Sequence, residues 1–285
     1  MVWGFFCKFA LMKSLPTLSI LSKIATKLAD LRVSLGFLLV VVVLAYTCVW
    51  AYRQFMSSPP YVDPERYPVR GIDVSAHNGM MNLDAAAADG IEFIFIKASE
   101  GTTFRDENFR INYDKASKAG LKIGAYHYFR FDCDGVAQGL NLVKAVGRRH
   151  LDLGVAIDVE ESGNAAGVDS VTIVRRLLAM ADYLYLSGYR VTFYSNRAGY
   201  YEYLRESVPG ASLWICSFQP TPIEAEWTFW QFNHHGRVAG IRGDVDIDVF
   251  CGSRSDWQNY LDGAQWPYDS PPRRKHPSVR TRGRN

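Results

Sequence analysis

The stretch Gly154–Glu161, GVAIDVEE, decides how this chain is read. Val155, Ala156, Ile157 and Val159 make a short apolar run of the kind that forms a buried strand, yet acids stand at Asp158 and Glu160. Residues two apart on a strand point to the same side, with Cα atoms roughly 6.5 Å apart. A carboxylate on a core-facing surface is costly unless it is paired or used. Two on one face repel, and the repulsion raises the pKa of one of them. A salt-bridged strand end is the plain alternative, and the rest of the chain has to choose.

At 285 residues, with 48% hydrophobic content, the chain can hold one large globular domain or two ordinary ones. Its 14% aromatic content fits a core or a carbohydrate cleft equally well. A formal net charge of +3 is too small to argue for nucleic acid, no nucleic-acid motif accompanies it, and no nucleic-acid partner is expected. The ends are basic. Residues 1–32 carry Lys8, Lys13, Lys23, Lys27 and Arg32 against Asp30 alone, and Arg273 to Asn285 carry six basic residues and no acid.

Between Arg32 and Arg53 lies VSLGFLLVVVVLAYTCVWAY, without a charge. As a helix, these residues would extend about 30 Å, enough to cross a bilayer's hydrocarbon core. Trp50 and Tyr52 stand where an interfacial aromatic belt belongs. A cleaved signal peptide would need a small-residue site after the run, and RQFMSSPPYVDPERYP offers none. The expectation is an uncleaved anchor over 33–52, with residues 1–32 a basic cytoplasmic leader and everything after Tyr52 outside the cytoplasm, on the periplasmic or cell-wall side. Residues 53–68, rich in Pro and Ser, read as a linker, and 262–285 as a basic disordered tail.

Three of the five cysteines, Cys133, Cys216 and Cys251, follow the anchor. They permit one bridge, Cys216 with Cys251, or buried free thiols. His77, His127, His234 and His235 show no metal-ligand spacing, so neither a metal nor a cofactor is expected.

From residue 69 onward, apolar runs alternate with helical patterns. Strands are expected near 71–75, 92–97, 121–128, 154–159, 190–194, 212–216, 227–232 and 245–250, and helices near 82–89, 106–119, 136–149, 169–187 and 197–206. The clearest helix starts at an Asp169 or Ser170 cap and stops at Gly188, with Val171, Val174, Leu177, Leu178, Ala181 and Leu184 as its apolar stripe. Such alternation implies parallel βα units, here a small barrel with reduced final helices. Chemistry in such barrels sits at the C-terminal ends of the strands. Polar or aromatic groups recur there: Asp73, Glu100, Tyr126, Tyr128, Asp158, Glu160, Tyr194, Trp214, Gln231, Asp246 and Asp248.

Read in order, GIDVSAHNG, FIFIKASEGTTFRDENFRINYDKASKAGLKIGAYHYFRF, AIDVEES, VTFYSN, LWICSF, WTFWQF and VDIDVF resemble the family 25 glycoside hydrolases, the Chalaropsis-type lysozymes or N-acetylmuramidases. The likeness covers about residues 69–261. It implies an α/β fold, an irregular (β/α) barrel with five βα units followed by three strands, here preceded by one N-terminal transmembrane helix. It also implies cleavage of the β-1,4 bond between N-acetylmuramic acid and N-acetylglucosamine in peptidoglycan glycan strands. The family's acidic cluster falls on Asp73, Asp158, Glu160 and Asp246. The resemblance makes Glu160 the general acid and Asp158 either the nucleophile or the support of attack by the substrate's own acetamido group. Crowding by Asp73, Asp158 and Asp246 would keep the Glu160 proton in place. Tyr126, Tyr128, Glu100, Tyr194, Trp214 and Gln231 are the candidate substrate-binding residues, with Trp214 as a subsite wall; core packing is the alternative for each aromatic. Asp248 stands where the family often has Asn.

Two further readings use the same residues. A catalytically inactive, membrane-anchored glycan-binding module could keep the fold as a scaffold. A chitinase-like hydrolase would carry D-x-D-x-E, and Ala156 stands where its first Asp would be.

Overall fold

The computed structural model describes residues 16–57, 59–219, 222–223 and 226–263. The chain divides into two compact units, Met1–Ser58 and Pro59–Asn285. The first contains one helix, α1 (Pro16–Ser57). Phe37, Leu38, Leu39, Val40 and Trp50 on it are exposed. Among the described residues no helix is long and apolar enough to cross a membrane. The spanning helix expected over 33–52 is therefore not established by the fold. Helical backbone continues past Tyr52 to Ser57, into the stretch read as linker. The first part of the leader and most of the tail lie outside the described residues.

The second unit is built on nine strands: β1 (Arg70–Val74), β2 (Ile91–Glu100), β3 (Phe104–Arg105), β4 (Lys122–Tyr128), β5 (Gly154–Asp158), β6 (Val191–Asn196), β7 (Ser212–Cys216), β8 (Phe229–Gly236) and β9 (Val245–Phe250). Their order is β1-β9-β8-β7-β6-β5-β4-β2-β3, and an additional β1–β2 pairing closes the ring. Eight strands form the barrel, while β3 folds back antiparallel on the last residues of β2. β9 runs antiparallel to both β1 and β8. With no helix between β8 and β9, the chain turns back directly, and only an antiparallel partner can be reached that way.

Helices follow the first five units of the barrel: α2 (Leu83–Ala88), α3 (Phe109–Lys118), α4 (Gly135–Val146), α5 (Ser170–Leu186) and α6 (Arg197–Gly199), the last running into a π turn over Tyr200–Leu204. Five βα units followed by three strands result, as expected. Asn82, Asp134 and Asp169 cap α2, α4 and α5 by accepting backbone N–H bonds in the first turn. On α5 the buried stripe is Ile173, Leu177, Met180, Ala181 and Leu184, whereas Val171, counted in the expected stripe, is 79% exposed. The helix phase is set by what the barrel wall touches, which places Ile173 inward and Val171 outward. A helix absent from the expectation, α7 (Arg254–Leu261), follows β9.

The core has two layers because strand side chains alternate. On β2, Ile94 and Ile96 face the helices, while Phe93 and Phe95 fill the barrel with Ala156, Trp214, Phe229 and Phe250. Trp257 and Tyr260 of α7 join that inner layer, with Trp257 against Phe93 at 5.5 Å between ring centroids. Room for these rings comes from glycine: a Cβ at Gly71 would overlap the Phe93 ring, and one at Gly124 the Phe95 ring. Tyr67 packs on Trp227 and Trp230 at 5.5 and 6.1 Å. Cys216 and Cys251 are free thiols, so the bridge weighed from sequence is not formed.

Candidate active site

Alternation along β5 answers the question raised by GVAIDVEE. Val155, Ile157 and Val159 pack outward under the helices, and Ala156 joins the interior. The phase persists one residue pair past the end of β5, helped by the Val159 N–H, which bonds to the Tyr194 carbonyl at 2.9 Å. Asp158 and Glu160 thus both line an open cavity of about 220 Å³ at the barrel mouth. Asp73 and Asp246 line the same cavity, delivered as directly paired residues of β1 and β9. Because β9 runs backwards, its first residues lie at this rim, and Asp248 sits one layer deeper opposite Gly71. All four carboxylates named from the sequence are brought together.

Tyr126, Tyr194, Trp214 and Gln231 complete the lining. Trp214 is a floor rather than the expected wall. It is 1% exposed, stacks on Phe95 with centroids 4.5 Å apart, and meets Tyr194 edge-on at 4.6 Å. Gln231 ties two sides of the barrel together: its Nε2 donates to Asp73 Oδ2 at 2.6 Å, and its Oε1 accepts the Tyr194 hydroxyl at 3.0 Å. Each of these side chains comes from a different strand, so strand closure itself sets the cavity's shape.

Two expected contacts fall outside the lining. Glu100 pairs with Lys97 at 2.9 Å and faces Arg130 at 3.7 Å. Tyr128 donates to the Ser162 carbonyl and lies under the Lys97 ammonium at 5.1 Å. Both are engaged by neighbours on the rim of β2 and β4. His127 points the other way, buried between Ser99 at 2.8 Å and Gln138 at 3.2 Å, and burial lowers its pKa to about 4. It is a neutral packing residue. Among the described residues no cluster could hold a metal ion.

The cavity is electrostatically strained. Burial pushes the Asp158 carboxyl well above the usual range, with repulsion from Glu160 next. Burial also raises Glu160, and of the three acids expected to crowd it Asp246 is the one that adds repulsion. Asp246 is lifted by burial to about 6. Lys97 at the end of β2 is the cation that draws both Asp158 and Glu160 downward. Two neighbouring carboxyls, both raised, retain one proton between them to higher pH than an isolated acid would. No hydrogen bond reaches the Glu160 carboxyl among the described residues, and it is the less buried of the two. Such a pair, one proton donor and one anion on the same wall of a polar cleft, is the equipment for acid-assisted cleavage of an acetal.

The match of residues 72–241 to the model of "Glycosyl hydrolases family 25" covers more than half of the chain. The chain belongs to that family. The autolytic lysozyme of Clostridium acetobutylicum is 33% identical over 184 residues, which are 64% of this chain and 56% of that protein. This chain thus spans little more than half the length of that relative. A family 25 glycosyl hydrolase from Bacillus anthracis superposes with a TM-score of 0.65 at 30% identity, covering 71% of this chain and 96% of that one. The lysozyme of Streptomyces coelicolor does so with a TM-score of 0.60 at 28% identity, over 69% and 98% of the two chains. Membership of a glycoside hydrolase family agrees with the cavity chemistry and with the five-plus-three architecture.

Proposed function

We propose that this protein is a lysozyme-type muramidase that hydrolyses the β-1,4 bond between N-acetylmuramic acid and N-acetylglucosamine in peptidoglycan. The observation that carries the reading is the in-phase pair Asp158 and Glu160 on one wall of the cavity. Glu160, nearer the mouth and free of hydrogen bonds, donates its proton to the glycosidic oxygen as the C1–O bond breaks. The bonding pair leaves with that oxygen. Asp158, deeper and within the field of Lys97, is the anion that meets the positive charge at the anomeric carbon, either by bonding to it or by supporting attack of the 2-acetamido oxygen. Water then enters with Glu160 as base, which restores its proton. The aromatic floor of Trp214 and the hydroxyls of Tyr126 and Tyr194 suit a sugar face and its acetamide.

A zymogram on a peptidoglycan-loaded gel tests this. A cleared band that disappears with Glu160→Gln supports the hydrolase. Binding to peptidoglycan without clearing supports the glycan-binding module instead.

We further propose that residues 33–52 anchor the protein as a single-pass membrane helix, with the N-terminus cytoplasmic and the barrel on the peptidoglycan side. The uncharged run, the preceding lysines and the exposed apolar residues of α1 support this. A reporter fused after Tyr61 should be active only outside the cytoplasm. A mature chain with a new N-terminus near Ser57 would sink the anchor.

A further inference from the structure

Below the cavity floor lies a carboxyl that the proposed reaction does not use. Asp248 on β9 is completely buried. Its Oδ1 accepts the Trp214 indole N–H at 2.8 Å. Its Oδ2 is buried with no donor in reach, and the group it meets is another carboxyl, that of Asp73. Asp73 in turn already uses Oδ2 to accept Gln231 Nε2 at 2.6 Å, and Gln231 accepts from Tyr194 at its other end. Gln231 Nε2 and the Tyr194 hydroxyl are therefore directed away from Asp248. Asp248 Oδ2 is left a buried acceptor without a donor, and the side chain beside it is a second carboxyl. Buried polar atoms are almost always hydrogen-bonded, and two anions in contact in a dry site are mutually destabilising.

We propose that Asp248 and Asp73 share a single proton, and that Asp248 is a positioning residue that holds the Trp214 indole under the bound sugar and limits the Asp73 pair to one negative charge. The proton supplies the one donor the network lacks. It completes a continuous chain from Tyr194 through Gln231, Asp73 and Asp248 to Trp214, tying β6, β8, β1, β9 and β7 together beneath the reacting centre. The groups facing the pair leave it no cation: Asp246 comes from β9, Asp158 from β5, and the Tyr126 hydroxyl, itself raised by burial and by Asp73, from β4. Burial and these neighbouring carboxylates push both members upward, in the direction a retained proton requires. An asparagine side chain has the same shape as the neutral acid. At 248 it would accept from Trp214 and donate to Asp73.

The positioning half of the inference rests on the hydrolase reading, so the test has two arms. Infrared difference spectra of Asp248→Asn against the unmodified protein at neutral pH should show loss of a protonated-carboxyl carbonyl band. Loss of a carboxylate band instead would overturn the shared proton. In the second arm, Asp248→Ala should lower kcat on peptidoglycan fragments by about 10- to 100-fold, the scale of a small displacement at a reacting centre, and Asp248→Asn should restore most of it. A kcat unchanged in Asp248→Ala, or no recovery in a folded Asp248→Asn, would overturn the positioning role. Should Asp248→Ala not fold, Trp214→Phe removes the same hydrogen bond while keeping a ring on Phe95, and a kcat unchanged there refutes the role equally. The infrared arm requires no turnover. A protein inert on peptidoglycan would defeat the hydrolase reading while the shared proton is still decided.

Discussion

Glu160→Gln removes one proton from the cavity and almost nothing else. The amide has the size of the acid, and the carboxyl it replaces makes no hydrogen bond among the described residues, so folding should be unchanged within about 0.5 kcal/mol. An amide at 160 can carry no charge to repel Asp158, so the part of the upward shift of Asp158 that comes from Glu160 is lost and Asp158 ionises more readily in the variant. What is lost is the donor to the leaving oxygen. General acid catalysis supplies roughly 10²–10⁴ in rate, which at about 1.36 kcal/mol per decade is about 2.7–5.4 kcal/mol of barrier. Affinity for muropeptides should survive, because this interaction matures only in the transition state. The neighbouring residue provides the control. Glu161 is exposed and accepts the Tyr203 hydroxyl at 2.9 Å on the far side of the chain, so Glu161→Gln should keep turnover within about twofold. Steady-state turnover on soluble muropeptides, affinity and thermal melts measure all three quantities. Near-normal turnover in Glu160→Gln together with a crippled Glu161→Gln would refute the inward phase of the strand and the site with it.

Other expectations follow from the same electrostatics and packing. Lys97→Met removes the cation that lowers both Asp158 and Glu160, so the pH profile of kcat/KM should move upward; an unmoved profile would show that Lys97 serves only Glu100. Asp246 is raised from 3.8 to about 6, and Asp73, Asp158 and Asp248 are raised further. The folded state therefore binds more protons than the unfolded chain between about pH 4 and 6 and above, and stability falls as pH rises through that range. Thermal melts should give a higher Tm at pH 5 than at pH 7.5, and the reverse order would contradict the shifts. Gly71→Ala places a methyl group against the Phe93 ring and should cost about 1–3 kcal/mol by denaturant unfolding. Phe93→Leu in the same chain should recover part of that loss, and an undisturbed single variant would show that the ring can move.

Local pattern was enough for the parts of this protein that depend only on neighbours along the chain. Alternation in GVAIDVEE assigned Asp158 and Glu160 to one face, and the Asp169 cap with the Gly188 stop bounded α5, because side-chain direction and helix ends obey short periods and short-range bonds. The motifs around Asp73, Tyr126, Tyr194, Gln231 and Asp246 located the cavity for the same reason. Tertiary structure alone decided which way β9 runs, since an isolated strand carries no mark of its partner's direction. It also decided that Val171 is exposed, that Trp214 is a floor, and that Glu100 and Tyr128 turn to Lys97, Arg130 and Ser162 instead of the cavity. Depth and protonation were equally out of reach. Asp246 and Asp248 look alike in VDIDVF, but antiparallel pairing puts one at the rim opposite Asp73 and the other one layer deeper opposite Gly71. Burial and charge–charge distance set their behaviour, and both quantities exist only once the barrel has closed.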